Sequence, residues 1–368
     1  MSTREEFIFR PFKVTEVKCR GFECPRPRSG HRIACDDAYI YCFGGYNPFL
    51  PHASVERENP TWSAQCPLFK ELWSFSITSR KWKHHRVTEN MPAELASNAM
   101  CVHGQHLMIF GGTGEPFGQK CSNDVIVWRT NPGDAKFNIL DVAGTKPPGQ
   151  LDLRTLVWHP LFVGTGEDTD PPGRYRHEVA RVDNKLYIIG GGTGDSAFEL
   201  MNIPTFDLVT NKWNMLTAKP DDQDSRISIN PLPRKCHSAV QIDTPSGAQV
   251  FVAGGSDGVT VFEDIWRLNL ADLQWTLMRK SVLPNPLFFH SSTVTSSGCM
   301  YIFGGIEPKN DATSRNNILY KVWLCIPKLS EICFEALLHF HPNLDQLDNK
   351  TLLNTGIPRH LVQRMHPD

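Results

Sequence analysis

The sequence predicts an all-β chain built as a β-propeller with a short helical tail, and three repeating signals carry that prediction. Five apolar runs end in glycine pairs: Tyr41 to Gly45, Met108 to Gly112, Tyr187 to Gly191, Phe251 to Gly255 and Tyr301 to Gly305. Upstream of four pairs a histidine stands in phase, at His31, His177, His237 and His290, and Ser97 is read at that place in the second unit. Downstream come apolar strands such as Glu71 to Phe75, Asn123 to Val127 and Asp264 to Leu268, then a lone tryptophan at Trp82, Trp213 or Trp275. An apolar strand closed by glycines free to take positive φ is the core strand of a small sheet that must turn sharply. Such a unit cannot bury itself alone, so several must stack, and four-stranded units of this length stack as a propeller.

This order of signals resembles the kelch repeat over residues 26–326, in five copies sharing one register. The resemblance implies one blade per repeat, with the glycine pair after the second strand and the tryptophan on the fourth. Spacing then exposes a defect. Phe137, Trp158 and Trp213 join Trp82, Trp275 and Trp323 in a series with steps of 55, 21, 55, 62 and 48 residues, and 21 is too short for a blade. Residues 147–158 hold a linker of the usual type and a blade ending, Leu151 to Trp158, but neither an inner strand nor a Gly-Gly strand. The reading is a third repeat lacking its first half, with a junction near Gln150 and Leu151; a divergent short loop is the alternative. The chain is then of six-bladed ancestry, with five full blades and a remnant whose neighbours expose sheet edges.

Ring closure has its own signal. The last unit reaches Pro327 without a fourth strand, whereas residues 7–18 read as a strand with no blade, so the N-terminus is expected to complete the last blade.

Composition suits a turn-dense β protein: 368 residues, 27 Gly, 27 Pro and 21% charged. A net charge of −1 argues against nucleic acid or an anionic membrane as partner, since both need a basic field. No run of 18 apolar residues occurs, and two glutamates stand within Met1 to Arg10 where a signal peptide would be basic. The expectation is a soluble intracellular protein, cytoplasmic or nuclear. The eleven cysteines contain no C-x-x-C, so no metal site is expected and most read as small buried hydrophobes.

No catalytic constellation stands out, and the chain is read as a non-enzyme without cofactor. Histidines repeated once per blade are structural devices rather than an active site. Some kelch propellers resemble copper oxidases, but that chemistry takes its ligands from unique loops, and no such set is singled out here. There is no Walker motif, HExxH or G-x-S-x-G. The turns before the histidines carry Arg28, Arg174 and Arg234, with Arg176 and Lys235 beside them. In kelch propellers this turn faces the channel mouth, so the resemblance implies a cationic pocket for a carboxylate, such as a protein C-terminus or an acidic loop. Pairing with neighbouring acids is the competing reading for each arginine. The Pro48 to Lys70 segment reads equally as a lid or as a loose excursion.

After Pro327 the apolar period changes to about 3.6, so residues 327–368 are read as a helical tail. Leu329, Cys333 and Leu337 resemble the elongin C box of von Hippel–Lindau-type substrate receptors, although Lys328 departs from the small residue or proline usual before the leucine. Ile357, Pro358 and Leu361 resemble the cullin box that follows it. A propeller followed by these boxes is the arrangement of kelch-domain receptors of cullin-RING ubiquitin ligases. It implies elongin B/C and a cullin as partners and a degron-binding propeller, with substrate capture weakened by the missing half-repeat. The alternative is a kelch interaction scaffold without a ligase link, whose tail would bury Leu329 and Cys333 against the propeller.

Overall fold

A computed structural model describes residues 6–49, 67–130, 133, 135–144, 150–154, 156–164, 170–223, 229–309 and 312–366. Five four-stranded antiparallel sheets follow one another, and in sequence order they are the first, second, fourth, fifth and sixth blades. Their inner strands are Arg32–Cys35, Ala99–His103, Glu178–Val182, Ser238–Thr244 and Ser291–Val294. Each pairs with the strand that leads into a glycine pair, as Ile33 does with Cys42 and Ser292 with Ile302. Those second strands are buried on both faces where blades flank them on both sides; Cys299–Phe303 is buried at every position. The sixth blade lacks a fourth strand of its own, and Thr15–Glu16 pairs antiparallel with Leu319–Trp323 in that place. This outer strand is shorter than residues 7–18, with single hydrogen bonds from Phe12 to Trp323 and from Val17 to Leu319 extending it.

The third blade is reduced to a hairpin of Gln150–Asp152 and Val157–His159. In the first, second and fifth blades a residue of the incoming linker makes a parallel bridge to the fourth strand, as Lys219 does to Gln274. Here Ala143–Gly144 runs parallel to Val157–Trp158. The hairpin is therefore the third and fourth strands of a blade whose inner strand and Gly-Gly strand are gone. The linker between Gly144 and Gln150, and residues 50–66 of the segment read as a lid, lie outside the described residues.

Two backbone hydrogen bonds recur at every complete pair of neighbouring blades. The second glycine of a pair donates to the next blade: Gly45 to Leu95, Gly191 to Arg234, Gly255 to Leu287 and Gly305 to Arg28, each to a backbone carbonyl. Closer to the lumen runs a ring of residues at positive φ, namely Gly30, Ser97, Arg176, Cys236 and Phe289. Gly30 donates to Phe289, Ser97 to Gly30, Cys236 to Arg176 and Phe289 to Cys236, over 2.7–3.2 Å. Among the described residues neither ring has a link between the second and fourth blades. Four apolar clusters likewise fill the four complete junctions. The propeller is thus closed on one side and interrupted at the remnant.

The phased side chains belong to this joint. His31 of the first blade turns its Nε2 to the Phe303 carbonyl of the sixth, 3.1 Å away, and its ring covers Gly304. His237 and His290 likewise lay their rings over Gly190 and Gly254 of the preceding blade, and His290 Nε2 meets Ser238 Oγ of that blade at 2.8 Å. In the second blade the residue in register is Asn98 and not Ser97, which instead takes the strained ring position with φ 58°. Asn98 serves its own blade, its Nδ2 donating to the Gly111 and Glu94 carbonyls at 2.6 and 3.0 Å.

After the sixth blade the chain forms helix α1, Leu329–Phe340, a 3₁₀ turn at Leu344–Gln346, and helices α2, Asn349–Asn354, and α3, Arg359–Met365. Asp348 caps α2, its carboxylate accepting from the Thr351 amide. Phe334, Leu338, Leu352, Ile357, Leu361, Val362 and Met365 form a separate small core. Lys321–Glu335 and the two-pronged Arg364–Glu331 pair, with Arg364 also donating to the Asp37 carbonyl, fix this tail under the first and sixth blades. Phe7 packs against His339 and Phe340 from the other end of the chain.

The joint makes glycine replacements unequal. A Cβ on Gly304 would lie 2.6 Å from the His31 ring, whereas on Gly111, next to the missing half-blade, it meets only the Ser122 carbonyl at 3.2 Å. Both residues have φ near 60°, at 60° and 63°. Gly304→Ala is expected to cost about 3 kcal/mol or more and Gly111→Ala about 1–2 kcal/mol, the backbone share alone. Urea unfolding of the two variants measures the difference.

Candidate functional site

The five predicted pocket cations do not behave alike. Arg28 and Arg234 have fully buried side chains. Arg28 donates to Glu71 Oε2 at 2.6 Å and to the Gly44 carbonyl, and its guanidinium stacks 4.2 Å over Phe69. Arg234 repeats this with Asp264, the Gly254 carbonyl and Phe262. A buried cation with all three guanidinium nitrogens hydrogen-bonded builds the turn that receives the neighbouring Gly-Gly strand. The expectation that these two capture a ligand is corrected accordingly. In the sixth blade, Leu287 stands where the arginine would, Ile318 stands where the acid would, and both join one apolar cluster.

Arg174, Arg176 and Lys235 differ. Arg174 stacks over Phe198 at 4.3 Å and donates to the Gly190 carbonyl, and the position that carries Glu71 or Asp264 elsewhere is Asn202 here. Arg176 lies 3.9 Å over the ring of Phe289 in the sixth blade. Lys235 Nζ donates to the Thr193 and Gly194 carbonyls at 2.8 and 3.0 Å.

Sequence spacing gave no sign of Arg315, which lies over Tyr46 at 5.2 Å and donates to Ser29 Oγ at 2.9 Å. Arg315 belongs to a hairpin, Ile306–Lys309 with Ala312–Arg315, that falls outside the repeat register. It reaches the same mouth through Ile306, which bridges to Phe288 next to Phe289. Burial pushes the Arg174, Arg176 and Arg315 guanidinium groups below their ordinary pKa, and among the described residues none is paired with a carboxylate. Around them stand Tyr46, Phe49, Phe117, Tyr175 and Phe289, of which Phe49 is 76% exposed. The mouth is a collar of aromatic rings holding cations that lack anions, which suits a carboxylate-bearing, partly apolar ligand.

Beside the remnant the second blade leaves a cavity of about 230 Å³, lined by Ala99, Met100, Cys101, Met108, Ile109, Phe110, Val125 and Trp158. Trp158, on the surviving fourth strand, covers part of it from 5.5 Å over Phe110. Of the nine described cysteines other than Cys333, four are exposed, against the expectation of burial; Cys101 is one because the blade face that would cover it is missing. Among the described residues no cluster of metal-ligating side chains occurs, and no helix is long and apolar enough to cross a membrane.

The tail separates its predicted residues too. Leu329 is 73% exposed and Cys333 is exposed, with Leu337 half-buried beside them on one face of α1. Ile357 and Leu361 lie inside the tail core, so of the three cullin-box residues only Pro358 offers surface.

Residues 6–169 and 150–327 each match the KLHDC2/KLHL20/DRC7 Kelch-repeats domain, the second match starting at the junction read from spacing. The chain is 38% identical over 409 aligned positions to the Kelch domain-containing protein 10 homolog of Drosophila melanogaster, covering 98% of this chain and 66% of that protein. It is 36% identical to Kelch domain-containing protein 10 of Mus musculus, covering 94% of this chain and 82% of the relative. It is 27% identical to Host cell factor 1 of Rattus norvegicus, covering 91% of this chain and 14% of that protein.

The buried histidines make stability depend on pH. Desolvation brings His237 and His290 to about 3 and His31 well below its ordinary value. Unfolding at mildly acid pH therefore takes up protons that the folded state refuses. Stability is complete above the unfolded histidine pKa, near 6.5, and falls as pH drops below it, by up to about 4 kcal/mol per pH unit for the three together. The urea midpoint should be flat from pH 8 to 7 and fall steeply between pH 6.5 and 5.

Proposed function

The chain belongs to the kelch-repeat family, and from that membership we propose that it is the substrate-recognition subunit of a cullin-RING ubiquitin ligase. Its β-propeller is a protein-interaction domain; the ligase assignment rests on the tail. One observation carries it: Leu329 and Cys333 stand exposed on α1 while four other side chains of that helix are engaged within the chain. Phe334 and Leu338 fill the tail core, and Glu331 and Glu335 are tied to Arg364 and Lys321. A helix that only packed would turn its leucine inward. A leucine and a cysteine one turn apart on a fixed helix fit a narrow apolar groove, here that of elongin C in the elongin B/C pair. Pro358 then offers the cullin contact.

The opposite end of the function is the channel mouth. Arg174, Arg176, Lys235 and Arg315 bind the carboxylate of a protein C-terminus or acidic loop, and the aromatic collar holds the residues before it. Such a receptor works in the cytoplasm or nucleus. It transfers nothing itself and raises the substrate's effective concentration at the ligase.

Co-purification with elongin B and C tests the tail. Leu329→Asp with Cys333→Asp should abolish it without changing the melting temperature, because both residues are on the surface. Retained binding overturns the box. Absence of binding in the unaltered protein leaves a kelch scaffold without a ligase link. At the mouth, Arg176→Ala or Arg315→Ala should weaken selection from a library of peptides with free C-termini about tenfold or more, the value of one charge-assisted hydrogen bond. Amidation of the peptides should do the same.

A further inference from the structure

The residues that follow the phased position at the lumen are Arg32, Ala99, Glu178, Ser238 and Ser291. Three are small, and the two long ones carry opposite charge. Arg32 leaves the first blade altogether: its Nε donates to the Asn98 carbonyl of the second blade at 2.7 Å, and its Nη1 donates to Glu178 Oε1 of the fourth at 2.9 Å. These are the two blades that the remnant separates. Asn98 directly follows Ser97, and Glu178 stands two residues after Arg176, so one guanidinium grips both ends of the interrupted inner ring. The charge sits close enough to the lumen axis to act on His31, His177 and His290, which come from three different blades. Both side chains are partly exposed, at 29% and 19%.

We infer that the Arg32–Glu178 pair is a latch that closes the ring across the lumen, in place of the lost inner strand, and holds the second and fourth blades at a fixed separation. A backbone link around the rim is replaced by a side-chain link through the centre.

Hydrogen exchange on the full-length protein tests the latch. Glu178→Gln removes the charge and keeps the shape, and Arg32→Met removes the cation. Each should speed exchange about tenfold in Ala99–His103 and Glu178–Val182, and leave Gly247–Ala253 and Cys299–Phe303 unchanged. The charge swap, Arg32→Glu with Glu178→Arg, should restore protection in Glu178–Val182. Unchanged exchange in the two flanking strands, equal acceleration in all blades, or failure of the swap to restore protection would each overturn the latch.

Discussion

The rest of the structure depends on a joint of two backbone hydrogen bonds between neighbouring blades. One runs from the second glycine of a pair to the carbonyl three residues before the phased position, the other between residues held at positive φ around the lumen. The repeated sequence features serve this joint. The first glycine leaves room for the neighbour's histidine ring, the histidine reaches back to the preceding blade, and the buried arginine braces the turn that supplies the accepting carbonyl. A buried ion pair is weak evidence for stability as such, and here its service is to specify one turn conformation. Leu287 and Ile318 meet the same need in the sixth blade with an apolar pair.

Since each joint is local, losing half a blade damages one joint and spares four. The apolar clusters show the same economy, each confined to one pair of blades. What survives of the third repeat is the outer half, whose linker strand and tryptophan still attach it to the second blade. The inner half was the part that faced the lumen, so the defect opens at the centre and is met there by side chains.

Much of this was legible in the sequence because it repeats. Glycine pairs, histidines and tryptophans recur in register, and a 21-residue step was enough to expose the half-blade, whose fourth strand is where Trp158 lies. What repetition could not convey was the partner of each side chain. Arg28 looks like a mouth residue in a linear reading because Glu71 lies 43 residues away, directly before the third strand. Counting from a serine in place of histidine concealed Asn98, and Arg315 escaped because its hairpin lies outside the repeat. Arg32 and Glu178 are 146 residues apart and meet only because the ring brings opposite blades to one lumen. In the tail, apolar periodicity located the helices, but which leucines face inward depended on how three short helices fold on one another. Ile357 and Leu361 went in and Leu329 stayed out.

The strand at Thr15–Glu16 finishes the sixth blade, and Phe7, a few residues earlier, rests on the last turn of α1. One short stretch of chain is thus a stitch through two seams, the rim of the propeller and the root of the tail. The exposed α1 helix is thus tied to the sixth blade both through Phe7 and through the Lys321–Glu335 pair. A change at Phe7 that loosened its contact with α1 would therefore be felt at both seams together.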